Sequence, residues 1–369
     1  MSDKEFQTII DFGFSKIRAG TFNEEGKNNP FFIESDFYTN QFNFKSDIQK
    51  IVASLEKSTN EYIDNIDLMI DSSKTISVAI SVFKKIEELK LRQDDILFLV
   101  QEAKQQILKY YSDYNIAHII INNYKIDNID YSELPDEIDC QFISLDIIFI
   151  CLPSELVLSF KNIFSELNIS INQIICSSYA KSINYKKNLE LIGEVSFIDI
   201  GFKKTSIISF NNDKLIFLDV LPLGGNHITK DISLLLKIDI NEAEKLKLNF
   251  EKNNSQTDNL NFSLEMLQKI AFARIEEILE LCDKSLASNR KIKTRSKMIL
   301  MGEGAKILDN KFKDKISFSK DIDFLEETLG DVCQSGYKLR KIASKQEVVV
   351  VPKKQIKQGF FEKLFHLFK

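Results

Sequence analysis

"TIIDFGFSKIRAGTF" (residues 8–22) and "SFIDIGFKKTSIISF" (residues 196–210) share one pattern: an apolar run, Asp, one residue, Gly, Phe, one residue, Lys, and a second strand-like run. Asp11, Gly13, Phe14 and Lys16 match Asp199, Gly201, Phe202 and Lys204, so the chain carries an internal repeat. In each copy a strand ends at an aspartate, turns tightly at glycine and returns antiparallel. Two half-molecules, each presenting such a hairpin, predict a duplicated α/β fold with a cleft between the halves. Helical stretches such as "KSDIQKIVASLEKS" and "LRQDDILFLVQEAKQQILKYY" alternate with strand-like "IDLMID", "AHIIINNYKI" and "CQFISLDIIFICL", which is α/β patterning.

Glycine is scarce, 12 in 369 residues, with none between Gly26 and Gly193. Where it persists, the backbone needs left-handed angles or close approach to something. Gly13, Gly201, Gly224, Gly225, Gly302 and Gly304 all follow apolar, strand-like runs. A carboxylate at a strand end beside a glycine turn suits a phosphate clamp. Turn N–H groups approach the phosphates, while Asp11 and Asp199 orient a magnesium ion through its waters. Lys16 adds a point charge. A single Asp-x-Gly is ordinarily a strand followed by a turn; two copies in repeat context favour the clamp. Gly302 and Gly304 in "MILMGEGAKI" either let backbone pass close to a base or ribose, or form a plain strand-to-helix turn. Glu244 and Lys247 in "NEAEKLK" lie three apart on one helix face, either gripping a nucleoside or forming a solvated salt bridge.

Composition narrows the field. A hydrophobic content of 44% supports folded domains, and a net charge of −5 gives no overall attraction to nucleic acid, so no nucleic-acid partner is expected. Five scattered cysteines read as reduced thiols, and His118, His227 and His366 form no ligand cluster in sequence. "MSDKEFQTII" lacks the basic and apolar regions of a signal peptide, and no apolar run approaches the roughly 18 residues of a membrane span.

The ordered set "IIDFGFSKI", "FIDIGFKKTSI", "LPLGGNHITKDI", "EAEKLK" and "ILMGEGAKI" resembles the actin-like ATPases, and within them the FtsA family of bacterial cell division. The resemblance covers nearly the whole chain. It implies an actin-like (ribonuclease H-like, duplicated) ATPase fold with an FtsA-type inserted subdomain and a C-terminal amphipathic helix. Subdomain 1A would take residues 1–72 and 154–195, and the inserted subdomain 1C residues 73–153. Subdomain 2A would take 196–226 and 299–343, its final helix returning to 1A, with 2B at 227–298. A tether at 344–358 and a membrane-targeting helix at 359–369 would follow.

By position, the resemblance assigns Asp11, Gly13, Ser15 and Lys16 to the first phosphate loop and Asp199, Gly201 and Thr205 to the second, with Gly225 a further cofactor-binding position. Glu244 and Lys247 become the nucleoside-contacting pair, and Gly302 and Gly304 the adenosine loop. ATP and Mg2+ are the implied cofactors. Arg274 and Glu277 match an Arg-x-x-Glu where such proteins receive the C-terminal tail of FtsZ. The other implied partners are further copies of the chain in filaments, later divisome membrane proteins and anionic lipid, at the cytoplasmic face of the membrane. This sequence departs from the family pattern at Phe14, at Phe202, Lys203 and Lys204, and at Glu303. No general base stands out, and weak or no hydrolysis is expected.

The ending, "GFFEKLFHLFK" (359–369), carries an apolar face. On a helical wheel Phe360, Phe361, Leu364, Phe365, Leu367 and Phe368 fall within about 160° of arc. Such a helix spans about 16 Å, enough to lie in a membrane interface and too short to cross. Docking on the protein's own core is the alternative. Two other classes stay open: a pilus-assembly adaptor that binds a membrane-protein peptide, and a small-molecule kinase of the same superfold.

Overall fold

Each copy of the repeat folds as a hairpin. In the computed structural model, which describes residues 6–23, 30–36, 44–87, 90–135, 138–249, 263–288, 297–306, 308, 321–342 and 347–348, β1 (Phe6–Phe12) and β2 (Lys16–Asn23) pair antiparallel with Asp11 opposite Arg18. The Gly13 N–H donates to the Lys16 carbonyl at 2.9 Å, and a β-carbon on Gly13 would stand only 3.0 Å from that oxygen. The second copy repeats this. With β5 (Ile76–Lys85), β6 (Tyr114–Ile126), β7 (Ile129–Tyr131), β8 (Phe142–Pro153) and β9 (Ser170–Cys176) intervening, β10 (Glu194–Ile200) pairs with β11 (Thr205–Asn211), Asp199 opposite Ser206. The Gly201 N–H donates to the Lys204 carbonyl at 2.8 Å.

The repeat extends to whole sheets. The first has the order β3–β2–β1–β4–β9, with β3 at Phe31–Asp36 and β4 at Asn65–Ile70. The second has the order β12–β11–β10–β13–β14, with β12 at Lys214–Leu221, β13 at Lys297–Met301 and β14 at Ile322–Phe324. In both, the hairpin strands run antiparallel and the last two pairings are parallel. β4 and β10 read as nearly continuous apolar runs because helices cover both their faces.

Alternating residues build the layers. Ile10 and Leu68 point into a core shared with α1 (Phe44–Thr59) and α3 (Ser154–Glu166). Ile9, Met69, Phe197 and Met301 point into a core shared with α4 (Ser177–Asn188) and α8 (Leu329–Ile342), which are therefore packed between the two sheets. Ile198 and Leu300 point outward, onto α5 (Gly225–Leu236), α6 (Ile240–Leu248) and α7 (Leu264–Ser288). Close packing in the middle layer needs Gly336, where a β-carbon would sit 2.6 Å from the Met69 sulfur.

A third sheet, order β15–β6–β8–β5 with β7 on β6, carries α2 (Gln93–Tyr110) on its apolar face. It abuts the second half, where the Ser77 hydroxyl donates to the Leu218 carbonyl at 2.7 Å. β15 is only Glu347–Val348, inside the stretch read as a tether, and it pairs antiparallel with Ile119 and Ile120 of β6. The amphipathic ending, with Phe360, Phe361, Leu364, Phe365, Leu367 and Phe368, lies outside the described residues. Among the described residues no helix is long and apolar enough to cross a membrane.

Candidate functional site

The two hairpin turns face one narrow cleft between the halves, with about 70 Å³ of free space. Asp11, Gly13, Ser15, Asp199 and Gly201 line it, so the structure brings together residues of the two turns to which the resemblance assigns phosphate binding. Five carboxylates line the cleft, Asp11, Asp71, Asp199, Glu303 and Glu327, with three cations, Arg18, Lys181 and Lys204. Every one of them has a partner.

Asp11 is buried at the end of β1; Arg18 reaches its Oδ2 at 3.1 Å and the Ser177 hydroxyl donates to its Oδ1 at 2.6 Å. Asp199 is equally buried, and Lys181 of α4 lies 2.9 Å from its Oδ2. The same ammonium is 3.1 Å from Glu327, on the connection into α8. Burial alone would lower the Lys181 pKa, but Asp199 and Glu327 outweigh it and raise it. Lys204 reaches Asp71, just past β4, at 2.9 Å. Asp71 also accepts the Ser178 N–H at 3.1 Å, so a side chain already satisfies the first turn of α4, where an anion would bind.

Glu303 follows β13 and points back to the first half. Arg18 donates to it at 2.6 Å, and Lys16 lies 3.5 Å away. Burial would raise its carboxyl, yet Arg18, Lys306 and Lys16 hold it down at about 2. The turns themselves meet: the Lys203 ammonium lies 4.9 Å from the centre of the Phe14 ring.

Thr205, Gly225, Glu244, Lys247, Gly302 and Gly304, also assigned to nucleotide binding, pack on the second half outside the open cleft. Thr205 is fully buried, its hydroxyl donating to the Leu223 carbonyl at 2.8 Å. The Gly225 N–H donates to the Gly201 carbonyl at 2.8 Å, so this N–H of α5 is spent on the second turn. Lys247 donates to Glu244 at 2.7 Å and to the Gly225 carbonyl at 3.1 Å, with the Phe202 ring 5.5 Å away. Burial lowers its pKa, and Glu244 opposes that shift. Gly302 adopts φ +93°, and a β-carbon there would lie 2.6 Å from the Ile200 carbonyl. On Gly304 it would lie 2.8 Å from the same oxygen. The glycines of this loop thus let it press onto the end of β10.

Arg274 forks onto both oxygens of Asp231 in α5 at 2.6 and 2.9 Å, and donates to Glu277 at 2.5 Å. The pair is half-exposed on α7.

The sequence model described as "Cell division protein FtsA" matches residues 196–307, from the second hairpin through the 302–304 loop. The FtsA of Buchnera aphidicola subsp. Acyrthosiphon pisum is 22% identical over 363 residues, covering 87% of this chain and 85% of that protein. The chain is thus similar to FtsA proteins, by the family model over residues 196–307 and by one full-length relative at 22% identity. The FtsA of Bacillus subtilis is 37% identical over 113 residues, 26% of this chain and 25% of that protein. Matches to the FtsA proteins of Buchnera aphidicola subsp. Schizaphis graminum and Streptococcus pneumoniae likewise span only 39% and 36% of their length. Among solved structures, a chain of the PilM-PilN type IV pilus biogenesis complex superposes with a TM-score of 0.63 at 13% identity, over 91% of this chain and 98% of that one. That likeness shows the actin-like fold.

Magnesium was expected at Asp11 and Asp199, but the residues present do not fit it. Each carboxylate is buried and already neutralised by a buried cation at 2.9–3.1 Å. A hydrated dication would have to compete with Arg18 and Lys181 for these oxygens and would crowd further positive charge beside two buried cations, which is costly. Arg18, Asp71, Lys181 and Glu327 escaped the sequence reading. Glu303 and Lys204, both noted as departures from the family pattern, carried a signal.

Proposed function

We propose that this chain is a cell-division adaptor of the FtsA family: it attaches FtsZ filaments to the cytoplasmic face of the membrane, forms filaments with its own kind and recruits later divisome membrane proteins. The observation that carries the proposal is the family match across residues 196–307, which begins at the second hairpin and ends just past the 302–304 loop. The amphipathic ending, 359–369, supplies the membrane contact, and lysines at 353, 354 and 357 favour anionic lipid. One helix of this size attaches reversibly, and polymerisation multiplies the attachment. The half-exposed Arg274–Glu277 pair on α7 is the proposed seat of the FtsZ tail, its second carboxylate partner, Asp231, fixing the guanidinium in place. ATP, implied by the family resemblance, would have to open the ion pairs of the cleft to enter, and no step of this proposal runs through it.

Sedimentation with anionic vesicles tests the proposal, using the full chain, a chain ending at residue 358, and an FtsZ C-terminal peptide. The full chain is expected to pellet with vesicles and to carry the peptide, and the truncated chain to stay in solution. Full-length protein that never pellets at any lipid charge would end the reading. The likeness to the PilM-PilN complex favours a second reading, a pilus-type adaptor. It predicts capture of a membrane-protein peptide and no effect of removing 359–369.

A further inference from the structure

The repeat places a carboxylate and a lysine at equivalent positions in both halves. β1 pairs with β4 so that Asp11 stands beside Met69, and Asp71 follows two residues later. β10 pairs with β13 so that Asp199 stands beside Met301, and Glu303 follows two residues later. Asp71 and Glu303 are therefore counterparts, as are Lys16 and Lys204. Each lysine reaches across the cleft to the counterpart carboxylate of the other half, Lys16 while also pairing with Asp36 and Glu34 of its own half. Lys16 lies 3.5 Å from Glu303 of the second half, and Lys204 lies 2.9 Å from Asp71 of the first. Lys181 crosses to Asp199 at 2.9 Å, and Arg18 crosses to Glu303 at 2.6 Å while also pairing with Asp11.

We infer that these crossed ion pairs take the place of a magnesium nucleotide: they hold the two halves of the cleft closed, and the closed form needs neither metal nor nucleotide. A two-halved cleft bridged by a metal–polyphosphate complex needs free carboxylates for the metal's waters and cations for the phosphates. Here each group has already found its opposite among the chain's own side chains. Buried charges stay where they are paired, so opening the cleft strands several at once. Two departures from the family pattern, Phe14 and Lys203, meet across the same gap. Substitutions that look like damage to a phosphate site thus form one more bridge across it. In a filament-forming adaptor this arrangement fixes the polymerisable conformation permanently.

The inference rests on reading the cleft as that of an actin-like adaptor, and the test separates the two. Full-length protein is titrated with Mn2+ plus ATP, with free Mn2+ followed by electron paramagnetic resonance. Thermal midpoints are recorded with Mg2+ plus ATP, with ATP plus EDTA, and with EDTA alone. The expected results are no Mn2+ held by the wild-type chain, one midpoint under all three conditions, and filaments on anionic vesicles in EDTA. The double variant Arg18→Ser, Lys181→Ser, which frees Asp11 and Asp199, is expected to hold one Mn2+ per chain in the presence of ATP. One Mn2+ bound per wild-type chain, or a midpoint raised only by Mg2+ plus ATP, overturns the inference and leaves the adaptor reading standing. Failure to pellet with vesicles overturns the adaptor reading whatever the metal result. Should the double variant not fold, the wild-type titration alone decides.

Discussion

The two hairpins share a backbone and differ in how their aspartates are neutralised. In both, a strand ends at Asp, the following glycine N–H bonds the carbonyl three residues on, and the chain returns antiparallel. In the first, the residue opposite the aspartate is Arg18, and the pair closes within its own hairpin. In the second, that place belongs to Ser206, and the cation for Asp199 comes from Lys181 on a helix of the other half. The first aspartate is a local arrangement, while the second holds the halves together. Identical turns can therefore carry unequal shares of the interface, because ion pairing follows cross-strand register and layer packing.

The sharpest way to break this asymmetry is to remove the two cations separately. Lys181→Met leaves Asp199 and Glu327 buried without their shared cation, and is expected to cost about 3–5 kcal/mol in urea unfolding. Arg18→Met should cost less, since Asp11 keeps the Ser177 hydroxyl and Glu303 keeps Lys16 and Lys306. Equal losses would show that both aspartates depend on their cations alike.

Glycine substitutions come next. Gly302→Ala forces a side chain into left-handed backbone against the Asp199 carboxylate and the Ile200 carbonyl, with an expected loss of about 2–4 kcal/mol. Gly201→Ala meets only the Lys204 carbonyl, at 3.2 Å, and should cost less than about 1 kcal/mol. Thermal melting of both variants checks the order.

Acid separates the halves by charge. Glu303 is held at about 2, below its ordinary value of 4.5. Its stabilisation is therefore complete above pH 4.5 and is lost as the pH falls from there through about 2, by at most about 3 kcal/mol. Glu303→Gln should flatten that acid limb in urea midpoints measured between about pH 5 and about pH 3.

Smaller effects than at Lys181 and Gly302 are expected at the paired lysines of the repeat. Lys204→Met removes a buried partner of Asp71, which retains the Ser178 N–H, and should cost about 1–3 kcal/mol. Lys16 shares partly exposed Glu34 and Asp36 besides Glu303, so Lys16→Met should cost about 0.5–1 kcal/mol in the same assay.

Much of the fold was legible because it depends on local signals. Alternating apolar residues define strands, and a glycine turn after an aspartate defines a hairpin. Its repetition after 188 residues announces the duplication, as the two matching sheet orders bear out. The positions of Asp11 and Asp199 at the cleft were legible for the same reason. Their partners were not. Asp71 ends the strand-like "IDLMID", and Lys181 sits in "SSYAKS", which carries no repeat or glycine-turn signal.

By itself, then, the sequence determined the halves and their hairpins, because these follow from periodicity and short-range turn chemistry. Tertiary structure alone decided what the cleft contains. A buried charge must be neutralised by whatever lies within a few ångströms of it. That set, Arg18 across one strand and Lys181, Lys204 and Glu303 across the gap, exists only once the two sheets are packed around α4 and α8.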